Sequence, residues 1–380
     1  MKKPVVVYAA SGYTGRLTCE SLTKLRIGFI AAGRNQARLD AVVHEMRDKG
    51  ADCDAVVADH TPRGLRELVR GSKVVINNSG PFSLLGVDVV QAALDEGVHY
   101  VDSTGEQDFM FDVRRDYDQR FKQRDLVLAP SAAFLWGPGS AAAEVCLETP
   151  GIDSIRAIYA PPSLQTVASL QSMIRTVRRG GEAILQGTRT SIDSTKVQRV
   201  HVPGRGQLRA VAVGAGESTF LAGDARVHNC QTFFASDTLA RAVPVFKLWR
   251  TVANHVLSKV VSGDTLDSWS DAAVVKLKSD PPAESAEENR FIVSVVGEGG
   301  GRRVDVLLQG TSPYVFTGFT GALAAQELLA GKAKRFGYVS LAQTFGARHV
   351  LSRLEEIGTR TTISEGERAV TRERASAVTR

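Results

Sequence analysis

The first 130 residues of this 380-residue chain alternate between two patterns. Short apolar, β-branched runs occur at 4–9, 27–32, 54–58, 73–77, 98–102 and 125–129. Helix-like segments lie between most of them, at 14–25, 36–49, 61–70, 86–96 and 108–124. A strand buried on both faces reads as an unbroken apolar run, and the crossover to the next parallel strand is a helix. The pattern therefore predicts an α/β fold, a Rossmann-type doubly wound parallel sheet over 1–130.

After Pro150 the rhythm changes. Segments 152–160, 207–213 and 218–222 read as strands and 163–179 as a helix. Three further strands are predicted at 271–278, 290–296 and 302–309, the last two joined by the glycine turn "GEGGG" at 297–301. Strands in series predict a second, α+β domain at 131–316 with a largely antiparallel sheet. From Thr317 the pattern is helical again, giving C-terminal helices over 317–359. Residues 360–380 are charged and rich in Ser and Thr, and are expected to form a flexible tail. The stretch 243–261, "VPVFKLWRTVANHVLSKVV", reads as an amphipathic basic helix. It could pack on its own sheet, cover a hydrophobic pocket or make peripheral contact with a membrane surface.

Composition narrows the function classes. With 43% apolar and 23% charged residues the chain reads as a soluble globular protein, long enough for two domains. The net charge of +6 comes without a dense basic run and interleaved aromatics, so no nucleic-acid partner is expected. Cys19, Cys53, Cys146 and Cys230 lie far apart with no CxxC pair, as in a reducing compartment. A strand entered by residue 4 leaves no room for a signal peptide. The longest uncharged stretch, 126–143, contains Pro130, Gly137, Pro138 and Gly139 and is a poor spanning helix. A cytoplasmic location is expected, with no transmembrane segment; the assembly state is open, a homodimer included. The seven histidines show no metal-ligand spacing, so no metal is expected.

The candidate chemistry starts at "VVVYAASGYTGRL", residues 5–17. Ala9, Gly12 and Gly15 occupy a G-x-x-G-x-x-G frame with its first glycine replaced. Such a turn, after a first strand and opening a helix, brings backbone N–H groups and a helix N-terminus to a pyrophosphate. Ser11, Tyr13 and Thr14 lie within it. Gly12 would let the backbone approach and Gly15 would allow close helix packing. Ala9 is acceptable there provided the turn keeps a negative φ. Strand two ends in "AAGRN", where Arg34 and Asn35 replace the acidic residue that would bind a ribose hydroxyl. A guanidinium suits a 2′-phosphate, which points to NADP(H) as cofactor. Asp59 is either an adenine contact or a helix cap. Two further loops follow strands four and five, where open α/β sheets bind ligands. They are Asn77-Asn78-Ser79-Gly80-Pro81-Phe82 and Asp102-Ser103-Thr104-Gly105-Glu106. Asp102, Thr104 and Glu106 are candidates for positioning or proton delivery, with a helix N-cap as the alternative.

"ASGYTGRL", "AAGRN", "VVINNSGPF" and "GVHYVDSTGE" together resemble the saccharopine dehydrogenase-like oxidoreductases, in particular the branch with the trans-acting enoyl reductases. The likeness is strong over 1–130 and weaker through "VRRGGEAILQG", "VAVGAGESTF" and "FTGALAAQELLAG". It implies a Rossmann domain, an inserted substrate domain and C-terminal helices returning to the first. It also implies that Ser79, Gly80, Pro81 and Phe82 border the nicotinamide half of the cofactor. Where that branch carries an acidic turn after strand six, this chain has the apolar "SAAFLWGPGSAAAE" at 131–144. Phe134 and Trp136 are thus expected, with Phe82, to meet a hydrophobic small-molecule substrate. The expected activity is NADP-dependent reduction of a conjugated C=C by hydride transfer. Reduction of C=N or C=O, or a non-catalytic NADP-binding redox sensor, are the alternatives.

Overall fold

A computed structural model describes residues 3–162, 180–237, 240, 241, 243, 244, 247 and 290–367. The expected helix at 163–179, the strand at 271–278 and most of 243–261 lie outside these residues.

The first domain carries a seven-stranded, wholly parallel sheet in the order β15-β6-β5-β4-β1-β2-β3. Its strands are β1 (Val5–Tyr8), β2 (Phe29–Gly33), β3 (Cys53–Val57), β4 (Val74–Asn77), β5 (His99–Asp102), β6 (Val127–Ala129) and β15 (Gly337–Tyr338). The first six alternate with α1 (Tyr13–Lys24), α2 (Gln36–Asp48), α3 (Pro62–Val69), α4 (Phe82–Glu96) and α5 (Gln107–Lys122). β1, β2 and β4 are buried at every position, which is why they read as unbroken apolar runs. The strand order reverses at β1, between β4 and β2, and that opens a crevice at the carboxyl ends of the central strands.

The second domain carries a nine-stranded mixed sheet. Its main path runs β10 (Val197–Val202), β11 (Gly206–Val213), β12 (Asn229–Ala235), β7 (Ser154–Ala160), β13 (Phe291–Gly299), β14 (Arg302–Gly310) and β16 (Arg360–Glu367). The hairpin of β8 (Gly181–Leu185) and β9 (Thr188–Ile192) joins it at β12. All pairings are antiparallel except β7 with β12. The expected strand at 218–222 is instead part of a short helix, α7 (Gly216–Leu221). It is buried on every side, so its sequence carries no helical stripe. Residues 360–367 are not a tail: as β16 they pair with β14 from Arg302↔Glu367 to Gln309↔Arg360.

α6 (Gly137–Cys146) lies in the core between the sheets, and α8 (Pro313–Leu329), α9 (Leu341–Phe345) and α10 (Ala347–Leu354) complete the packing. α8 crosses α1 so closely that a Cβ at Gly318 would lie 2.7 Å from the Leu17 carbonyl carbon. Its Thr317 Oγ1 accepts from Phe134 N at 3.0 Å, and Thr320 Oγ1 donates to Ala132 O at 2.8 Å. These bonds fix the segment that joins the two domains.

Candidate cofactor and substrate site

β1 ends at Tyr8, and the chain turns through Ala9 to Gly12 into α1. Gly12 N donates to Ala9 O at 3.0 Å. To close that turn Ala9 adopts the left-handed conformation, φ +60°. The expectation of a negative φ is therefore corrected. Ala9 holds a glycine-type backbone with its methyl in place, at a cost of about 1–2 kcal/mol. The Ala9 carbonyl also explains Gly15, where a Cβ would lie 2.2 Å from it and 2.8 Å from Ala10 Cα. At Gly12 a Cβ would meet the same oxygen at 3.3 Å, and the residue is otherwise exposed. Gly12 is the N-cap of α1, with no side-chain cap and no acidic residue in the first turn. The positive end of this helix is left for an anion. Ser11, Tyr13 and Thr14 ring it, each partly exposed, and Tyr13 stands edge-on to Tyr314 at 5.2 Å.

Arg34 follows β2 and is exposed beside this turn; Gly33 closes β2 with its carbonyl accepting from Ala58 N at 3.0 Å. Asn35 caps α2, its Oδ1 accepting from Arg38 N at 3.0 Å. Arg38 was not singled out from the sequence, although it lies one helical turn beyond Arg34. Neither guanidinium has a carboxylate partner among the described residues, whereas the nearby Arg16, Arg47 and Lys49 are all paired. Asp59 is exposed after β3, and the cap of α3 is Thr61, not Asp59. Next to it His60 Nδ1 lies 3.0 Å from the Tyr8 hydroxyl. Burial raises the Tyr8 pKa, and the Arg34 charge pulls it the other way. Arg34, exposed after β2, and the uncapped positive end of α1 fit an NADP(H) phosphate, and Arg38 is a further exposed cation in the first turn of α2.

The second and third loops are knitted together by buried polar groups. Asn77 Oδ1 accepts from Ser79 N at 3.0 Å and from Ser79 Oγ at 2.6 Å, and Asn77 Nδ2 donates to Tyr100 Oη at 3.1 Å. The Tyr100 hydroxyl donates to Asp102 Oδ2 at 2.8 Å. Asp102 Oδ1 accepts from Thr104 N at 2.9 Å and Ser131 N at 2.8 Å. Asp102 is therefore sealed, its pKa raised to about 7 by burial. Thr104 Oγ1 accepts from Glu106 N at 3.0 Å. Glu106 caps not its own helix but α4, its two oxygens accepting from Phe82 N and Ser83 N, each at 3.0 Å. That places Gly80 and Pro81, joined by a cis bond, on a stiff base. Asn78 is tied back by its N–H to Tyr8 O at 3.1 Å.

Of the aromatic residues expected at the substrate, Phe82 is buried against Phe109, and Phe134 and Trp136 are 5% and 2% exposed. Phe134 packs on Tyr159, Phe291 and Phe316; Trp136 packs on Tyr159 and Phe234 and donates to Gly105 O at 3.3 Å. Their neighbours Leu135 and Phe234 are the partly exposed members of this seam. A Cβ at Gly105 would meet Leu135 Cδ1 at 2.9 Å, so this apolar edge adjoins the loop after β5. Leu135 lay inside the apolar hinge read from sequence; Phe234 carried no signal, because only the fold brings β12 to that hinge. Beneath the seam Glu217 is fully buried, accepting from Tyr159 Oη at 2.6 Å, with its pKa raised to about 7 by burial.

All four cysteines are buried thiols. Among the described residues no group of three or more His, Cys, Asp or Glu is placed to hold a metal, and no helix is long and apolar enough to cross a membrane.

Known proteins resemble this chain in two separate stretches. Residues 5–128 match the saccharopine dehydrogenase NADP binding domain, and residues 137–363 match a family described as of unknown function, DUF5938. A lipid droplet localized protein of Caenorhabditis elegans is 33% identical over 139 residues, 34% of this chain and 33% of that one. A trans-acting enoyl reductase of Mycobacterium ulcerans (strain Agy99) is 36% identical over 107 residues, 27% of this chain and 25% of its own. These curated relatives are thus matched over a third or less of their length. The structure of apo saccharopine dehydrogenase (L-Glu forming) from Saccharomyces cerevisiae aligns over 96% of this chain and 100% of that one. Its TM-score is 0.62 at 12% identity, a likeness of fold. Residues 5–128 are thus an NADP-binding domain of the saccharopine dehydrogenase type on a saccharopine dehydrogenase-like fold, and the chain belongs to the family of unknown function DUF5938, whose model spans 137–363.

Proposed function

We propose that the protein uses NADPH to reduce a conjugated C=C, of the enoyl or enone type, in a hydrophobic small molecule. The observation that carries this reading is the uncharged seam of Leu135, Trp136 and Phe234 against Gly105, at the carboxyl end of β5. An amino-diacid would call for guanidinium groups there to pair its carboxylates. A long apolar chain or fused ring calls for the apolar contacts that Leu135 and Phe234 offer. The match to a trans-acting enoyl reductase, over 107 residues, agrees with this chemistry.

In this reading the first turn of α1, with Gly12 and Thr14, receives the pyrophosphate, and Arg34 with Arg38 receives the 2′-phosphate. Ser79, Gly80 and Pro81 border the nicotinamide. When bound, the cofactor supplies the hydride. Asp102, Thr104 and Glu106 hold the three loops in register and are positioning groups, because their oxygens are already committed to backbone donors and Tyr100. Water entering the seam provides the proton. The protein acts in the cytoplasm.

The test is NADPH oxidation across a panel of hydrophobic enoyl thioesters and enones, ketones, imines and charged keto acids. Turnover is expected with the first group. Turnover with charged keto acids alone would refute the hydrophobic reading. Tight binding of both NADPH and NADP⁺ without turnover would identify a redox sensor instead.

A further inference from the structure

Two consecutive residues at the start of α5 face opposite ways. Glu106 grips the N-terminus of α4, as described above. Gln107, 5% exposed, reaches into the second domain. Its Nε2 donates to Glu182 O at 2.8 Å, Ala215 O at 3.0 Å and Ser218 Oγ at 2.8 Å. Its Oε1 accepts from Glu182 N at 2.8 Å. One amide therefore joins β8 and α7 to the first domain.

The glycines of two segments with no role so far, "RGGEAIL" and "VGAGEST", are explained by this junction. A Cβ at Gly214 would lie 2.2 Å from Gln107 Oε1 and 2.7 Å from Gly181 Cα. A Cβ at Gly181 would lie 2.4 Å from Gly214 N, and one at Gly216 would lie 2.7 Å from Trp136 Cδ1. Side chains are excluded so that the backbones of β8 and of the 214–216 turn can close on Gln107. Arg114, two turns along α5, donates to Thr219 O and Ala222 O and reinforces the same contact.

We infer that Gln107 is a positioning residue through which the second domain holds the Ser79-Gly80-Pro81 loop in place. The path is short. The second domain fixes Gln107, the peptide bond fixes Glu106 relative to it, and the Glu106 carboxylate fixes the Phe82 and Ser83 N–H groups that end the loop. A buried amide satisfied on both sides allows one arrangement, since each bond it lost would leave a desolvated partner. The inference rests on the proposed reading that this loop borders the nicotinamide. The adenine half of the site, at Gly12, Arg34 and Arg38, belongs to other elements and stands outside the path.

The test compares NADPH with the 2′-phosphorylated adenosine half of the cofactor, each titrated by calorimetry into the full-length protein. Gln107→Ala, the volume-conserving Gln107→Met and, from the other side of the junction, Gly214→Ala are the variants. Each is expected to lose about tenfold in NADPH affinity, or about 1.4 kcal/mol. Each should keep its affinity for the adenosine half within about twofold, which also reports that the first domain is folded. Equal losses for both ligands in all three variants would mean a purely structural role and overturn the inference, as would no change for either. If the wild type binds NADPH no more tightly than the adenosine half, the loop does not meet the nicotinamide. The functional reading then fails first, and the inference with it.

Discussion

Replacing Ala9 with glycine isolates the backbone strain in the nucleotide turn. Ala9 sits at φ +60°, where an L-residue with a Cβ is about 1–2 kcal/mol less stable than in its ordinary wells. Glycine occupies that region freely, but it widens the unfolded ensemble by about 0.5–1 kcal/mol. The Ala9 methyl is only partly buried, so its removal costs at most about 0.5 kcal/mol. The balance is centred on a stabilisation of about 0.5 kcal/mol, within a range of about −0.5 to +1.5. Had the turn kept a negative φ, only the unfolded-state and burial effects would act, and the same substitution would destabilise. Urea denaturation without cofactor, followed by circular dichroism, should give a higher midpoint for Ala9→Gly at unchanged slope. A midpoint clearly below the wild type would refute the left-handed assignment. NADPH affinity should stay within about threefold, or 0.7 kcal/mol, because the turn's shape is the same.

Arg34→Ala and Arg38→Ala should each lower NADPH affinity by about tenfold in calorimetry and leave NADH affinity unchanged, the effect of one charge-assisted contact; equal losses for both nucleotides would remove the 2′-phosphate assignment. Gly15→Ala should destabilise by 2 kcal/mol or more, about the scale of a steric conflict in a packed turn, whereas Gly12→Val should remain folded in thermal melts yet no longer be stabilised by NADPH. Trp136→Ala should act on stability, by about 3–5 kcal/mol, while Phe234→Ala should raise KM for hydrophobic enones with little change in melting temperature. The buried Glu217 binds its proton more tightly in the folded state, so its contribution is full below the ordinary carboxylate range, near pH 4.5, and is lost as pH rises to about 7. Glu217→Gln should escape that loss, gaining on the wild type between pH 5 and 8 by up to about 3 kcal/mol; a pH-independent difference in melting temperature would contradict it.

The first domain was legible because its strands are buried on both faces and its helices carry one apolar stripe. Val5–Tyr8 and Val74–Asn77 announce themselves in four letters each. The second domain was less so. β9, "TRTSI", is exposed almost throughout, so it has no alternation to read, and β10, "VQRVHV", buries only Val200 and Val202 at its end, too short a signal to read. The same holds for β16, which looked like a tail because its partner β14 supplies the order. At the candidate site, the glycine frame and Arg34 could be seen in sequence because phosphate recognition is local. Glu106 could not be assigned, since the N–H groups it caps lie 24 residues away at Phe82. Gln107 was invisible for the same reason: its partners lie 75 to 111 residues further along the chain.

The pairing of β15 with β6, and of α8 with α1, bears on how the protein is made. Six strands of the cofactor-binding sheet have left the ribosome by Ala129, but the seventh arrives only at Gly337. At usual synthesis rates the roughly 200 residues between them take about 10–40 s. For that interval the β6 edge is unpaired and the face of α1 at Leu17 and Thr18 lies bare. A nascent chain in that state carries a nearly complete nucleotide turn on an unfinished layer, which makes it a client for holding chaperones. Stalled chains ending before Pro313 should be cut readily by protease, and those extending past Val339 should resist it.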